Sequence, residues 1–572
     1  PLARLTQAQL DTLVRQPQAV DDINPLSPMQ QGMLFHSLLG QGSGDYINQM
    51  RLDVEGVDPQ RFRAAWQAVV EAHDILRTGF FWQGDLAQPV QIVQRQVEVP
   101  FRVLDWNGRT DIDGALQTLA DEERAQGLDL TQAPLMRLVL VRTGTDRHHL
   151  IYTNHHILMD GWSSAQLLGE VLQHYRGASV ARPAGRYRDY IAWLQRQDAS
   201  LGEGFWTQQL RTLDEPVRLA QVFARPAQDV SAKPYGHHRV QLDALQSQRL
   251  AEFARESKVT VNTLVQAAWL LLLQRYTGKA SVAFGATVAG RPADLVGVEG
   301  QIGLFINTLP VIASPRPEQS LGDWLHSVQA QNLALREFEH TALFDIQRWA
   351  GLGGEALFDN ILVFENYPIS EALAQGAPEG LRFGAVDNLE QTNYPLTLLV
   401  SLGAELAVQF SYQCASFAQA SVERIGLHLQ RLLVQMTDAG QRSLGELSLL
   451  DERETRQHVQ GWNATAASYP QARCVHQLFE AQARQTPDAT ALVFAEQALS
   501  YAELNVRANR LAHRLIEQGV GPDQLVGVAL ERGVEMIVAL LAILKAGGAY
   551  LPLDPAFPQD RLAHMIEDSG IG

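Results

Sequence analysis

Apolar positions recur at helical spacing after Asp58-Pro59, where Phe62, Trp66, Val69, Val70 and His73 share one face. Asp58 can cap that helix and Pro59 suits its first position; Ser27-Pro28 opens another helix in the same way. Alternating or apolar runs at 90–93 and 150–153 predict strands. Strands and helices interleave through two blocks, the second spanning 235–435, so the predicted class is α/β. The most apolar stretches, 264–273 and 536–544, are about half as long as a membrane span and predict buried helices. A polar helix is expected over 6–15, a helical bridge over 183–206 and a polar linker over 451–469. A third block starts near Cys474, and both ends of the chain are expected to be cut from a longer polypeptide.

The 572 residues exceed what one core organises, so at least two domains are expected. A net charge of -17 with no Lys/Arg-rich cluster opposes nucleic-acid binding. Two distant cysteines, Cys414 and Cys474, lack neighbours at metal-ligand spacing and read as thiols in a reducing compartment. With no signal peptide visible at the N-terminus, a cytoplasmic location is expected and no membrane partner.

The segment His155-His156-Ile157-Leu158-Met159-Asp160-Gly161 carries the candidate chemistry. The alternation over 149–154 predicts a strand leading into it. Ser163-Ser164-Ala165-Gln166 fits a capping box, with Trp162 and Leu167 as its hydrophobic staple. Leu167, Leu168, Val171, Leu172 and Tyr175 then form one helical face. The histidines therefore lie on a sharp strand-to-helix connection, where Gly161 allows close backbone approach. Imidazole titrates near neutrality and can take a proton from an attacking group; an exposed Gly161 amide could face a developing oxyanion. Adjacent strand residues point to opposite faces, so one histidine faces a site and the other packs. His148-His149 and His237-His238 lack the following Asp-Gly and read as structural or surface pairs. A metal site ranks well below catalysis, because no third ligand sits at a suitable spacing.

His-His-x-x-x-Asp-Gly at 155–161 resembles the signature of nonribosomal peptide synthetase condensation domains, and further motifs follow in the family's order. SPMQQGMLFHSL at 27–38 resembles the first motif, HDILRT at 73–78 the second and YRDYIAW at 187–193 the fourth. IGLFINTLP at 302–310 resembles the fifth, and EHTALF at 339–344 and NYPL at 393–396 the last two. The chain departs from the pattern at Ala72, where the family usually has Arg, and at 311–313, where the fifth motif often ends in Arg. LSYAEL at 499–504 and LKAGGAYLPLDP at 544–555 resemble the start of an adenylation domain.

The resemblance implies two chloramphenicol-acetyltransferase-like lobes in a V-shaped pseudo-dimer, plus a partial α/β adenylation segment. The implied limits are an upstream linker at 1–20, lobes at 21–195 and 196–450, a linker at 451–470 and the adenylation segment at 471–572. It implies an acyltransferase in the making of an antibiotic or siderophore peptide. A carrier-bound amine attacks a carrier-bound peptidyl thioester. His156 is the implied catalytic residue, supported by His155, Asp160, Gly161, Trp162, Ser163, Arg291 and Asn307, with Asp160 expected to pair with Arg291. No cofactor is expected on this chain; the substrates ride on phosphopantetheine arms of donor and acceptor carrier proteins. Gly353-Gly354-Glu355-Ala356 lacks the serine of a carrier motif, so those partners are expected outside it. The first and fifth motifs and EFEHTALFDIQRW resemble the subtype that joins a donor ending in a D-residue to an L-aminoacyl acceptor. An epimerisation domain shares the histidine signature, but the adenylation-like block directly downstream argues against it. Heterocyclisation domains replace the signature with an aspartate-based one, and non-catalytic docking relatives usually carry a degenerate one.

No glycine-rich phosphate cradle appears in the sequence, and holding ATP needs those backbone amides. The chain is therefore expected to give background ATP–pyrophosphate exchange with every amino acid, which a radiolabelled pyrophosphate assay checks.

Overall fold

The structure is a computed structural model that describes residues 2–14, 16–40, 45–178, 180, 184–223, 234–351, 355–365, 369–438 and 442–571. Arg15, Pro183, Gly353 and Gly354, named in the sequence reading, lie outside the described residues. The chain forms two compact units, Pro1–Glu452 and Arg453–Gly572.

The first unit is a mixed α/β body of two lobes, each built on a six-stranded sheet. One sheet runs Arg382–Phe383, Ile47–Glu55, Arg147–His155, Met136–Arg142, Phe101–Asp105, with Asp387–Leu389 also paired to Ile47–Glu55. The other runs Asn307–Ala313, Val282–Val288, Asn360–Glu365, Leu396–Leu402, Leu406–Gln413, Tyr235–Gln241. A small antiparallel sheet joins Val20–Pro25, Val90–Gln94 and Thr78–Phe81.

The predicted strands at 90–93 and 150–153 lie inside Val90–Gln94 and Arg147–His155. Arg147–His155 is buried along nearly its whole length because both faces are covered. Leu150 and Tyr152 enter the main core of the first lobe, while Ile151 packs from the opposite face with Leu116, Leu119, Ala120 and Val139. The helix after Asp58 is Pro59–Ala72, with Asp58 as its cap and Phe62, Trp66, Val69 and Val70 buried. His73 ends it and donates from its ring to Glu170, 2.6 Å away. Leu264–Leu273 is buried along its whole length in the helix Val261–Thr277, which fills the second lobe's core with Trp324, Phe284 and Phe410.

The lobes are interleaved in sequence. Val298, Ile302, Leu304, Phe305, Leu373 and Leu381 all pack in the first lobe's core. Residues 2–13, expected as a connector, form a capped helix Gln7–Leu13, and Ala3 packs against Val90 and Ile92. The expected bridge consists of two helices, Tyr187–Leu194 and Ala199–Leu210.

In the second unit, residues 453–473 are largely exposed before the helix Val475–Gln485. A hairpin, Thr490–Phe494 with Gln497–Ser500, leads to the helix Tyr501–Glu517. Leu525–Val528 and Ala549–Pro552 pair in parallel around the helix Val534–Lys545, which contains the apolar stretch 536–544. Among the described residues no helix is long and apolar enough to cross a membrane.

Candidate active site

The histidine segment begins where a strand runs out of sheet. His155 is the last residue of Arg147–His155 and pairs with Ile47. A single 3-10 turn, His156–Leu158, follows, and then Asp160 caps the helix Gly161–Arg176. This corrects the capping box predicted at Ser163. The Asp160 carboxylate accepts from the Ser163 amide at 2.8 Å, so the helix starts at Gly161, two residues before that serine. A carboxylate at an N-cap also meets the positive end of the helix dipole. Ser163 instead turns its hydroxyl outward, donating to the Gly303 carbonyl at 2.8 Å and accepting from Arg291 Nη2 at 2.8 Å.

The two imidazoles have different surroundings. His155 is buried; its Nδ1 accepts from the Ile157 amide at 3.1 Å, which leaves Nε2 as the protonated nitrogen facing Ser37 Oγ at 3.2 Å. Burial, with a smaller contribution from the neighbouring His156, pushes its pKa down to about 3. His156 is half-buried, and its Nδ1 lies 2.8 Å from the Met159 carbonyl oxygen. A carbonyl can only accept, so Nδ1 carries a proton, and in the neutral ring Nε2 is the nitrogen with the lone pair. No described residue hydrogen-bonds that Nε2. The His156 amide donates to the Tyr46 carbonyl at 2.8 Å, which sets the backbone from which the ring projects. Gly161 is exposed, and an added Cβ there would meet nothing within 4 Å. The glycine leaves free space at the helix start, and first-turn amides have no intrahelical acceptor.

Asp160 is 1% exposed and accepts from two directions. Oδ1 takes the Ser163 amide and stands 3.4 Å from Arg291 Nη2; Oδ2 takes the Phe305 amide at 3.0 Å. Arg291 also donates to the Gln301 carbonyl at 2.9 Å and lies 4.1 Å over the Phe305 ring and 5.4 Å from that of Trp162. Trp162 donates from Nε1 to the Glu299 carbonyl at 3.2 Å. Gly290, before Arg291, sits at φ +61 with an ideal Cβ position 1.8 Å from the Phe305 carbonyl oxygen, so only glycine fits. Asn307, a supporting residue by the resemblance, has a packing role in the structure. Its amide donates to the carbonyls of Glu339 and Thr341 at 2.8 and 2.6 Å and fastens that loop. The structure thus brings Asp160, Trp162, Ser163 and Arg291 together and leaves Asn307 outside that cluster.

The other motifs hold this loop from the sides. Gln30, fully buried, reaches the Ile157 carbonyl at 3.4 Å. Tyr187 donates to the Leu304 carbonyl at 2.7 Å and Tyr190 to that of Phe305 at 3.4 Å. Tyr46 and Ser37 touch the histidines directly and were missed in the sequence reading. Ser37 lay in the first motif one helical turn past Leu34, which was a usable signal; Tyr46 has none.

Residues 20–459 match the Condensation domain family and residues 479–572 the AMP-binding enzyme family. Over its full length the chain is 44% identical to one of the linear gramicidin synthase proteins of Brevibacillus parabrevis, of which it spans 7%. It is 36% identical to tyrocidine synthase 2 of the same organism, with 96% of the chain covered and 16% of that protein. Among solved structures, the nonribosomal peptide synthetase FmoA3 matches 97% of the chain and 58% of its own, at 26% identity and TM-score 0.76. The first condensation domain of the calcium-dependent antibiotic synthetase matches 76% of the chain and all of its own at 19% identity and TM-score 0.63, a likeness of fold.

Removing the Asp160 carboxylate leaves the Arg291 guanidinium buried without its counter-charge, so Asp160→Ala is expected to cost about 3–5 kcal/mol, read by urea unfolding. Among pH effects, His155 has a clear sign. The unfolded imidazole takes up a proton near its ordinary 6.5, whereas the folded one resists until about 3. Its contribution is full above the higher value and is lost as pH falls toward the lower. Between pH 7 and pH 5 the melting temperature of the wild type is expected to drop further than that of His155→Asn.

Proposed function

The chain belongs to the condensation-domain family, whose members are acyltransferases that form amide bonds, and we propose that His156 serves that reaction here. The donor is a carrier-bound peptidyl thioester ending in a D-residue, and the acceptor is a carrier-bound L-aminoacyl amine. The observation that carries this reading is the fixed tautomer of His156. The Met159 carbonyl holds the Nδ1 proton, so Nε2 is the basic atom.

The acceptor nitrogen attacks the thioester carbon, a C–N bond forms and the C–S bond breaks. Nε2 hydrogen-bonds the amine, receives its proton as positive charge develops on nitrogen, and returns it to the departing sulfur. The free space at Gly161 accommodates the reacting carbonyl near the first-turn amides. Holding two tethered substrates together supplies about 7–11 kcal/mol of the barrier reduction, so the protein's largest contribution is positional. Asp160, Trp162, Ser163 and Arg291 act by keeping the turn in place. The D-donor assignment is supported by the first and fifth motifs, GMLFHSL and GLFINTLP.

We take the lobes as 21–195 and 196–450, with the stretches at 298–305 and 381–389 of the latter crossing back onto the first lobe, the linker at 451–470 and the adenylation-like segment at 471–572. Donor and acceptor carrier proteins with phosphopantetheine arms are the partners, and the cytoplasm is the setting in which Cys414 and Cys474 stay free thiols.

A two-carrier transfer assay tests the reading. His156→Ala is expected to lower product formation about 10²–10⁴-fold with an unchanged melting temperature. A wild-type rate would remove His156 from the mechanism. In the same assay, dipeptide donors ending in D-phenylalanine are expected to outpace their L-counterparts; the reverse order would overturn the subtype.

A further inference from the structure

Tyr46 has a backbone that its residue type disfavours. Its φ is +64, in the left-handed region where the Cβ of an L-residue crowds the following carbonyl. It lies in a turn with Asp45, immediately precedes the strand Ile47–Glu55 and is 5% exposed. Strain of this kind persists only where surrounding contacts determine it.

Those contacts come from the histidine turn on one side and from far along the chain on the other. The Tyr46 carbonyl accepts the His156 amide at 2.8 Å. Its own amide donates to the Gln391 carbonyl at 3.1 Å, and its phenol donates to Asn393 Oδ1 at 2.6 Å. Burial holds that phenol well above its ordinary range, so it stays a donor. The Asn393 Nδ2 faces His36 Nε2 at 3.2 Å, and the Asn393 carbonyl accepts from Gln413 Nε2 at 3.3 Å. Gln413 ends a strand of the second sheet, and Leu396, three residues past Asn393, begins another. Asp45, next to Tyr46, accepts from the phenol of Tyr235 on the same sheet. Tyr46 therefore joins the backbone of His156 to Gln391 and Asn393, just before a strand of the other lobe's sheet.

We propose that Tyr46 is a positioning residue for condensation, transmitting the placement of Asn393 and the second lobe's sheet to the His156 imidazole through its strained backbone. Movement of Asn393 relative to the first lobe shifts the Tyr46 carbonyl, and with it the amide from which the His156 ring projects. The inference rests on the assignment of His156 made above.

The test uses the whole chain with separate donor and acceptor carrier proteins, loaded with a phenylalanine-ended dipeptide and with L-leucine. Tyr46→Phe removes the hydroxyl and keeps the ring; Asn393→Ala removes its acceptor; Asn393→Asp keeps an acceptor oxygen. Tyr46→Phe and Asn393→Ala are each expected to lower kcat about 10- to 100-fold, with KM for the loaded carriers within about twofold. The double variant is expected to be no slower than the slower single, as for two ends of one link. Asn393→Asp is expected to recover most of the rate.

A second readout needs no turnover. In protein labelled with 15N-histidine, exchange of the His156 amide is expected to quicken about tenfold in Asn393→Ala, at matched melting temperature. Unchanged His156 exchange, multiplicative losses in the double variant, or an effect confined to KM would each overturn the proposal. A wild-type rate in His156→Ala would sink the assignment of His156 instead, and amide exchange would still decide the link.

Discussion

The Asp160 carboxylate is the interaction on which the arrangement of the histidine turn depends. Sealed from water, it needs every acceptor position answered, and the answers come from the start of one helix, from Phe305 and from Arg291. The first of these belongs to the histidine connection and the other two to the segment entering the second lobe. A buried ion pair is a poor source of net stability when set against apolar packing of equal volume. Its value here is selectivity: one placement of residues 291–305 against the helix satisfies the charge, and a displaced one leaves the buried anion and the guanidinium apart and unpaired. Phe305, under the guanidinium and between Tyr187 and Tyr190, adds apolar bulk that resists sliding.

With the turn so held, the histidine pair divides its labour by hydrogen-bond direction. His155 accepts a backbone amide through Nδ1, and His156 donates through Nδ1 to a backbone carbonyl. The same side chain is thereby placed in opposite tautomers at adjacent positions. The buried one is kept neutral by the cost of a charge away from water, and the half-buried one has no described hydrogen-bond partner at Nε2. No acidic partner at the ring is needed for this orientation, because the backbone supplies it.

Much of this was legible in the sequence, for identifiable reasons. The helix after Asp58 carries a strong period of 3.6, the strand into His155 shows as the apolar run Leu150–Tyr152, and the Asp160–Arg291 pairing expected from the resemblance is present at 3.4 Å. The helix start was misread because Asp160 and Ser163 both have cap chemistry. What decided between them was the demand of Gly303 and Arg291 for the serine hydroxyl, which local sequence does not carry. Asn307, for which packing was an equally good reading, fastens the loop at 339–341 with its amide. Tyr46 was invisible because its partners Gln391 and Asn393 stand 345 and 347 residues away. The strands at 382–383 and 387–389 are too short for any period to show.

Those two short strands also constrain how the molecule is made. They cover the outer edge of Ile47–Glu55, a strand translated more than 300 residues earlier. Until they emerge, the first lobe has an open edge, with backbone donors and acceptors free to recruit a neighbouring chain. Contacts of such sequence separation form late, after the ordering cost of the intervening chain has been met. On the ribosome, the histidine turn is therefore complete in its primary residues long before its surroundings exist. The first half of this unit alone is an aggregation hazard, and the edge closes only when the chain from the second lobe crosses back.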